Sequence, residues 1–302
     1  MDIVGFNKWN QYIDHYLARA EEFKNIPFYK LKGSFAFRPL NAVLSDDKFV
    51  FGTYLNAILP FSTPKIYKYF IGGVNLNKNN CFEGIEEGLK ELADGKYVCK
   101  PTLGQCGRDI FLVEITDGNF KFNNGKNIND LKDALKKEPY IIQEFVVQHD
   151  AMKKLNASSV NTIRIVTTKF NSNVHLFVAV LRIGVTDSLM DNAAAGGTYV
   201  GIDSKTGKLL KYGYYHNRPM ELKHPISNVV YEGYQIPFWN ETVEMVKKLH
   251  LYFRKYPSIG WDVAITKNGP QIIENNYDWD FVMLQQVYGG LKDKWEAAKH
   301  LS

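Results

Sequence analysis

The residues with the clearest chemical potential lie in GWDVAITKNGPQIIENN, residues 260–276, where two apolar runs flank a Lys-Asn-Gly-Pro turn. The pattern predicts a β-hairpin with Asp262 on one arm and Glu274 and Asn276 on the other. A two-residue Asn268-Gly269 loop would set Asp262 against Asn275 and send Glu274 to the other side. A three-residue loop, Lys267-Asn268-Gly269 with Gly269 left-handed, shifts the register by one and sets Asp262 against Glu274, with Asn276 diagonal to it. The second register gathers Trp261, Val263, Ile265 and Ile273 on the opposite face and is preferred on that segregation. Two carboxylates side by side destabilise a sheet unless a cation or a proton intervenes. Two carboxylates and an amide oxygen are hard ligands that suit Mg²⁺. The plainer alternative is an acidic hairpin neutralised by nearby Lys or Arg.

A second constellation is KYVCKPTLGQCGRDIFLVEI, residues 96–115. A strand ends at Lys100-Pro101, a loop carries Gly104 and Gly107, and a new strand starts at Asp109. Glycines let backbone N–H groups approach an anion closely, and the lysine adds positive charge, as a phosphate lid needs. By itself the stretch also fits a plain hairpin turn with a solvent lysine. The chain has no GxxxxGK[ST], no GxGxxG and no HRD/DFG pair. No Ser/His/Asp or Cys/His arrangement supplies a covalent nucleophile, and Cys106 has no evident His base.

Elements that would position these groups follow from periodicity. Apolar residues Trp9, Tyr12, Ile13, Tyr16 and Leu17 predict a helix over residues 7–24. A second helix is predicted over 46–58, capped by Asp46 or Asp47. Pro60 and Pro64 then lead into an extended KIYKYFI, and a third helix is predicted over 82–93. YVCKP, DIFLVEI, YIIQEFV, TIRIVTTKF and VHLFVAVLRIG read as strands, with NDLKDALKK as a short helix among them. A long amphipathic helix is predicted over 238–255, and a single final helix through FVMLQQVYGGLKDKW. Helices and strands come in blocks, which is an α+β class.

Composition narrows the function. The chain has 302 residues, enough for two or three subdomains, with 45% hydrophobic and 23% charged residues, as in an ordinary globular protein. The net charge of +5 comes from basic residues spread along the chain. That suits anionic small molecules and is too weak to argue for nucleic acid. Three cysteines without zinc spacing fit a reducing compartment. The first residues lack a signal-peptide layout, and no apolar run approaches the roughly 18–20 residues of a membrane span. A soluble cytoplasmic protein of undetermined oligomeric state is expected.

Taken together, these stretches resemble the ATP-grasp superfamily, and within it the sugar-transfer-associated branch found with exopolysaccharide genes. The resemblance runs over roughly residues 45–290. Its carriers, in order, are DDK (46–48), YVCKP-LG-CGRDI (97–110), YIIQEFV (140–146), SSVNTIRIVT (158–167), LRIG with DNAAAGGTYVGID (181–203), and IGWDVAIT-NGPQIIENN (259–276). It implies the ATP-grasp fold, with two α+β subdomains clamping ATP after a short helical N-terminal segment. The expected divisions are residues 1–75, 76–146 with the lid, and 147–302 with the metal site. It also implies ATP and Mg²⁺ as cofactors. Lys48 and Lys100 match phosphate-contacting lysines, and Gly104 and Gly107 match the lid. Gln143, Glu144, Phe145 and Val146 match the segment lining the adenine pocket, and Asp150 is the ribose candidate. Asp262, Glu274 and Asn276 match the magnesium ligands. Arg164 and Arg182 resemble arginines that stabilise the transferring phosphate and the acyl-phosphate oxygen.

The activity the resemblance implies is ADP-forming ligation of a carboxylate to an amine through an acyl phosphate, with a surface polysaccharide or its precursor as the acceptor. Other outcomes on the same core are peptide ligation for a small natural product, phosphorylation of a sugar hydroxyl, and a non-catalytic nucleotide-binding module. Asp191, Asn192, Gly196 and Gly197 either shape the acceptor side or form a long β-turn. Tyr277, Trp279 and Asp280 either line the substrate pocket or, for Trp279, belong to the core. Only 47 residues precede Lys48, where many ATP-grasp ligases carry a full substrate-binding domain.

Overall fold

The computed structural model describes residues 43–77, 79, 81–104, 109–123, 125–170, 172–185, 197–215 and 219–300. The helix predicted over 7–24, the lid residues 105–108 with Gly107, and Asp191, Asn192 and Gly196 lie outside them. The chain divides into two compact units, Asn41–Val146 and Val147–Ser302.

The first unit begins with α1 (Val43–Asp46) and α2 (Lys48–Ile58). Asp47 separates them and caps α2, its carboxylate accepting from the N–H groups of Phe49 and Val50. Then follow β1 (Ile66–Ile71), β2 (Val74–Leu76), β3 (Phe82–Gly84), α3 (Ile85–Lys90), β4 (Gly95–Pro101), β5 (Phe111–Thr116), β6 (Asn119–Phe122), α4 (Ile128–Lys137) and β7 (Tyr140–Glu144). The strands form one sheet in the order β3-β2-β1-β7-β4-β5-β6. Residues 43–75 therefore supply α1, α2, β1 and the start of β2 to the same unit as the lid strands.

One side of this sheet carries the core: Phe70, Tyr97, Cys99, Phe111, Val113, Tyr140 and Ile142 pack with Leu89 of α3 and Leu131 and Leu135 of α4. Alternation sends Lys100, Ile141 and Gln143 to the other side. The single helix predicted over 82–93 is wrong in its first turn. Phe82–Gly84 is a strand on β2, because Glu83 turns inward to meet Lys68 at 2.8 Å and the Asn75 amide at 2.6 Å. That buried network outweighs the local helical pattern.

The second unit contains α5 (Asp150–Leu155), β8 (Thr162–Phe170), β9 (Asn173–Ile183), β10 (Thr198–Ile202), β11 (Leu209–Tyr214), α6 (Trp239–His250), β12 (Ser258–Thr266), β13 (Gly269–Asn276), α7 (Phe281–Tyr288) and α8 (Lys292–Lys299). Its sheet runs β11-β10-β9-β8-β12-β13, every neighbouring pair antiparallel. Strands β10 and β11 were not among the predicted ones. The predicted final helix is two helices, broken after Tyr288 where Gly289 takes a φ of 78°.

Each side of this sheet is covered differently. On one, α6 packs against β8, β9, β12 and β13. On the other, α7 and α8 bring Met283, Leu284 and Trp295 onto Val166, Val178, Val180 and Tyr199. A Cβ at Gly260 would overlap the side chain of Trp279 and approach Arg164 Cδ to 3.2 Å. The bare backbone at 260 is thus what seats the indole, whose Nε1 donates to Ser258 Oγ at 2.9 Å. Trp279 is core.

Candidate functional site

The register of the second unit's sheet gathers the charged residues. Arg164 on β8 lies beside Asp262 on β12, and Asp262 lies beside Glu274 on β13. One step along, Asn276 faces Gly260, on the same side as Glu274. On β9, Arg182 faces Thr162, which shares Arg164's side of β8. A single side of the sheet therefore carries Arg182, Thr162, Arg164, Asp262, Glu274 and Asn276.

Asp262 does face Glu274, by a different device from the predicted three-residue loop. The turn is the two residues Lys267-Asn268, with Thr266 paired to Gly269, and the register shifts further down, between Val263 and Asp262. Thr266 closes the turn by donating to the Gly269 carbonyl at 2.8 Å and accepting from the Asn268 N–H at 3.1 Å. The extra residue is Ile273, bulged out between Ile272 and Glu274. Ile272, rather than Ile273, is the one fully buried.

Both oxygens of Asp262 are held. Arg164 donates bidentately, Nε to Oδ1 at 2.5 Å and Nη2 to Oδ2 at 3.0 Å. Arg182 Nη2 adds a bond to Oδ2 at 2.8 Å. The same Nη2 and the Nε of Arg182 donate to Thr162 Oγ1 at 2.7 and 3.0 Å. Asp262 is 1% exposed, Arg164 7% and Arg182 16%.

Burial works against the ionised form of Asp262, but the two guanidiniums outweigh it and hold the carboxyl well below the usual range. Glu274 moves the other way: burial, the Asp262 charge and a hydrogen bond to Asp262 all raise it. The two carboxyls are thus pushed apart, Asp262 toward the ionised form and Glu274 toward the protonated one.

The donor set fits a hard divalent cation. Two carboxylates lie within hydrogen-bonding reach of one another, and Asn276 Nδ2 is 3.5 Å from Glu274 Oε1. A cation beside the two carboxylates would relieve the repulsion from Asp262 that raises Glu274. Among the described residues no three His, Cys, Asp or Glu side chains come together. A metal here would rest on the two carboxylates, with the Asn276 amide alongside.

In the first unit, Lys100 is 6% exposed near the end of β4, across from Ile141. Lys48, the first residue of α2, is tied to the stretch after Lys100. Its N–H donates to the Thr102 carbonyl at 3.0 Å and its Nζ to the Gly104 carbonyl at 2.8 Å. Gly104 has a φ of 138°, a backbone that favours glycine. Two amides of the segment matched to the adenine pocket are committed to neighbouring strands: Glu144 N–H to the Lys65 carbonyl at 2.8 Å and Phe145 N–H to the Lys96 carbonyl at 3.3 Å. Gln143 and Val146 are buried.

Asp150 opens α5, exposed, paired with Lys267 at 3.2 Å and Lys153 at 3.6 Å. Asp280 caps α7, accepting from the Met283 N–H at 3.2 Å. Two groups went unnoticed in the sequence. Thr162 is recoverable from its place two residues before Arg164 on a strand. Gln148 and Asn161 have no such signal. Gln148 Oε1 accepts from the backbone and side chain of Asn161 at 3.1 and 3.0 Å, and Asn161 Nδ2 reaches the carbonyls of Met152 and Asn156 at 2.8 and 2.9 Å.

Comparison with known proteins adds a lineage. The profile of the family described as sugar-transfer associated ATP-grasp matches residues 34–299. No curated protein matches the sequence. Among solved structures, the chain is similar to D-alanine–D-alanine ligase from Helicobacter pylori, at 14% identity and a TM-score of 0.48, covering 86% of this chain and 60% of that one. It is similar to L-amino acid ligase from Bacillus licheniformis at 12% identity and a TM-score of 0.45, covering 89% and 47%. It is also similar to the ATP-grasp ligase PsnB at 12% identity and a TM-score of 0.41, covering 93% and 66%. The chain thus spans about half the length of the amino acid ligase.

Proposed function

The chain belongs to the sugar-transfer associated ATP-grasp family, and we propose that it is an ADP-forming carboxylate–amine ligase working in the cytoplasm on a surface polysaccharide or its precursor. The observation that carries the chemistry is the row Arg164–Asp262–Glu274 on three adjacent strands, with Arg182 joined to the same aspartate. Two guanidiniums are fixed in place before any substrate arrives, as electrostatic stabilisation of a developing negative charge requires. The glycan acceptor rests on the family's description alone.

In this reading a substrate carboxylate oxygen attacks the γ-phosphorus of ATP and ADP leaves. An amine nitrogen then attacks the acyl carbon and phosphate leaves with the bonding pair. Arg164 and Arg182 offset charge on the transferring phosphoryl group and on the acyl-phosphate oxygen. Lys48 and Lys100 contact the ATP phosphates, with Gly104 and Gly107 over them. Gln143, Glu144, Phe145 and Val146 line the adenine, and Asp150 binds the ribose. Asp262, Glu274 and Asn276 would hold Mg²⁺, which supplies charge neutralisation at the phosphates when bound. The rest is positioning, and no protein nucleophile is needed.

The test is ADP release from Mg²⁺-ATP in the presence of pooled uronic and amino acids, with the product identified by mass spectrometry. The expected result is an amide product and loss of ADP release in Glu274→Ala with the fold intact. A stable phosphate ester in place of the amide would make the protein a kinase. Unchanged turnover in Glu274→Ala would sink the metal assignment.

A further inference from the structure

We propose that the turn closing α6, residues 248–255, docks this protein on the surface of an anionic lipid bilayer. The stretch reads KLHLYFRK, and the fold sorts it into two sides. Leu249, His250, Phe253 and the following Tyr256 face inward and are at most 1% exposed. Lys248, Leu251, Tyr252, Arg254 and Lys255 are left outside, Leu251 at 50% exposure and Tyr252 at 54%. Leu251 and Tyr252 follow Lys248 by three and four residues and so share its face of the helical turn. The Leu251 N–H donates to the Lys248 carbonyl at 3.3 Å and the Tyr252 N–H to the Leu249 carbonyl at 3.0 Å. A next turn, closed by the Tyr256 N–H on the Phe253 carbonyl at 3.2 Å, carries Arg254 and Lys255 at its corner. The inner side pins this backbone. The Phe253 ring lies 5.4 Å from Trp261 and 5.3 Å from Tyr256, and Lys169 Nζ donates to the His250 and Phe253 carbonyls at 3.2 and 2.5 Å.

Charge and polarity together select the partner. Among the described residues Lys248, Arg254 and Lys255 enter no ion pair, whereas Lys247 meets Glu244 at 3.5 Å. A soluble polyanion would answer these three cations but would offer nothing to Leu251. A bilayer with anionic headgroups answers both. The cations lie among the headgroups, while Leu251 and the Tyr252 ring reach the boundary with the acyl chains. A specific protein interface engages about 20–30 residues a side. Five side chains on one turn fall short of that, whereas a membrane is continuous and a few contacts give reversible attachment. The inference stands apart from the ligase reading, since none of these side chains belongs to the proposed nucleotide or metal site.

The experiment is co-sedimentation of the full chain with vesicles of phosphatidylcholine, alone or mixed with phosphatidylglycerol. It is run at low salt and at about 1 M salt, where the Debye length falls to about 3 Å. The proteins are wild type, Lys248→Glu/Arg254→Glu/Lys255→Glu and Leu251→Ser/Tyr252→Ser. A control, Lys90→Glu/Lys121→Glu/Lys137→Glu, makes the same change in net charge at exposed sites of the first unit. Each is checked for an unchanged thermal transition, and Lys248→Gln/Arg254→Gln/Lys255→Gln replaces the first triple variant if that one unfolds. Wild type should bind the phosphatidylglycerol vesicles, weaken at high salt, and bind phosphatidylcholine alone far less. The first triple variant should bind at least about 100-fold more weakly, at roughly fivefold per charge lost, and the control should stay close to wild type. Leu251→Ser/Tyr252→Ser should bind about tenfold more weakly. Absence of binding to either vesicle, or equal losses in the two triple variants, would overturn the proposal. So would binding that Leu251→Ser/Tyr252→Ser leaves unchanged, which would make the turn a site for a soluble polyanion.

Discussion

Asp262 holds the site's charge balance by itself. It is nearly fully buried, and its two oxygens receive three N–H bonds from two guanidiniums. Removing one partner of a buried ion pair leaves charge without compensation, which typically costs about 3–5 kcal/mol. Asp262→Ala should lose stability on that scale in urea titrations, whereas Asp150→Ala, at a solvent-screened exposed pair, should change the urea midpoint little. Equal losses would show that the Arg164–Asp262–Arg182 group is not structurally coupled. At this scale the acidic and basic members were legible in the sequence, because alternation on strands sorts charged residues into faces. Thr162 was legible only as a position sharing Arg164's side of the strand, because a threonine opening a strand is ordinary β-branched filler until its partner on the next strand is known. Trp279 was ambiguous for the same reason, and the bare backbone at Gly260 decides it.

Among the elements, α6 is clamped to the sheet by a buried polar chain. His250 is fully buried, its Nδ1 2.7 Å from Thr167 Oγ1 and its Nε2 2.9 Å from the Tyr256 carbonyl. Trp261 Nε1 donates to the same Thr167 hydroxyl at 2.8 Å. Nε2–H therefore faces the carbonyl and Nδ1 accepts from the hydroxyl. Burial, with the Lys169 charge adding to it, pushes the imidazole down to about 3 from its ordinary 6.5. The unfolded ring takes a proton below 6.5 and the folded ring does not, so this stabilisation is complete above 6.5 and is lost as pH falls toward 3. Between pH 7 and pH 5 the loss is about 2 kcal/mol. His250→Gln should flatten that part of the pH dependence in urea midpoints, and identical slopes in the two proteins would contradict the assignment. The predicted strands of this sheet and α6 were legible from β-branched runs and from apolar spacing. The β3 strand was hidden because its helix-like sequence is overruled by Glu83 reaching Lys68 and Asn75, contacts distant in the chain.

For the whole molecule, the α+β class and the family were legible because six short motifs occur in one order along the chain. No helix among the described residues is long and apolar enough to cross a membrane. The acceptor was less legible, since a carboxylate and an amine are recognised by scattered polar groups that no spacing rule gathers. The central proposal is that this chain binds Mg²⁺-ATP and that Lys100 and Glu274 each contribute to that binding. The most direct measurement is a thermal-shift titration of wild type, Lys100→Ala and Glu274→Ala with AMP-PNP, with and without Mg²⁺. At about 100 times the dissociation constant, bound ligand should stabilise the wild type by roughly 2.7 kcal/mol. The account predicts a Mg²⁺-dependent rise in Tm that both substitutions weaken. A wild-type Tm indifferent to Mg²⁺ and nucleotide would contradict it.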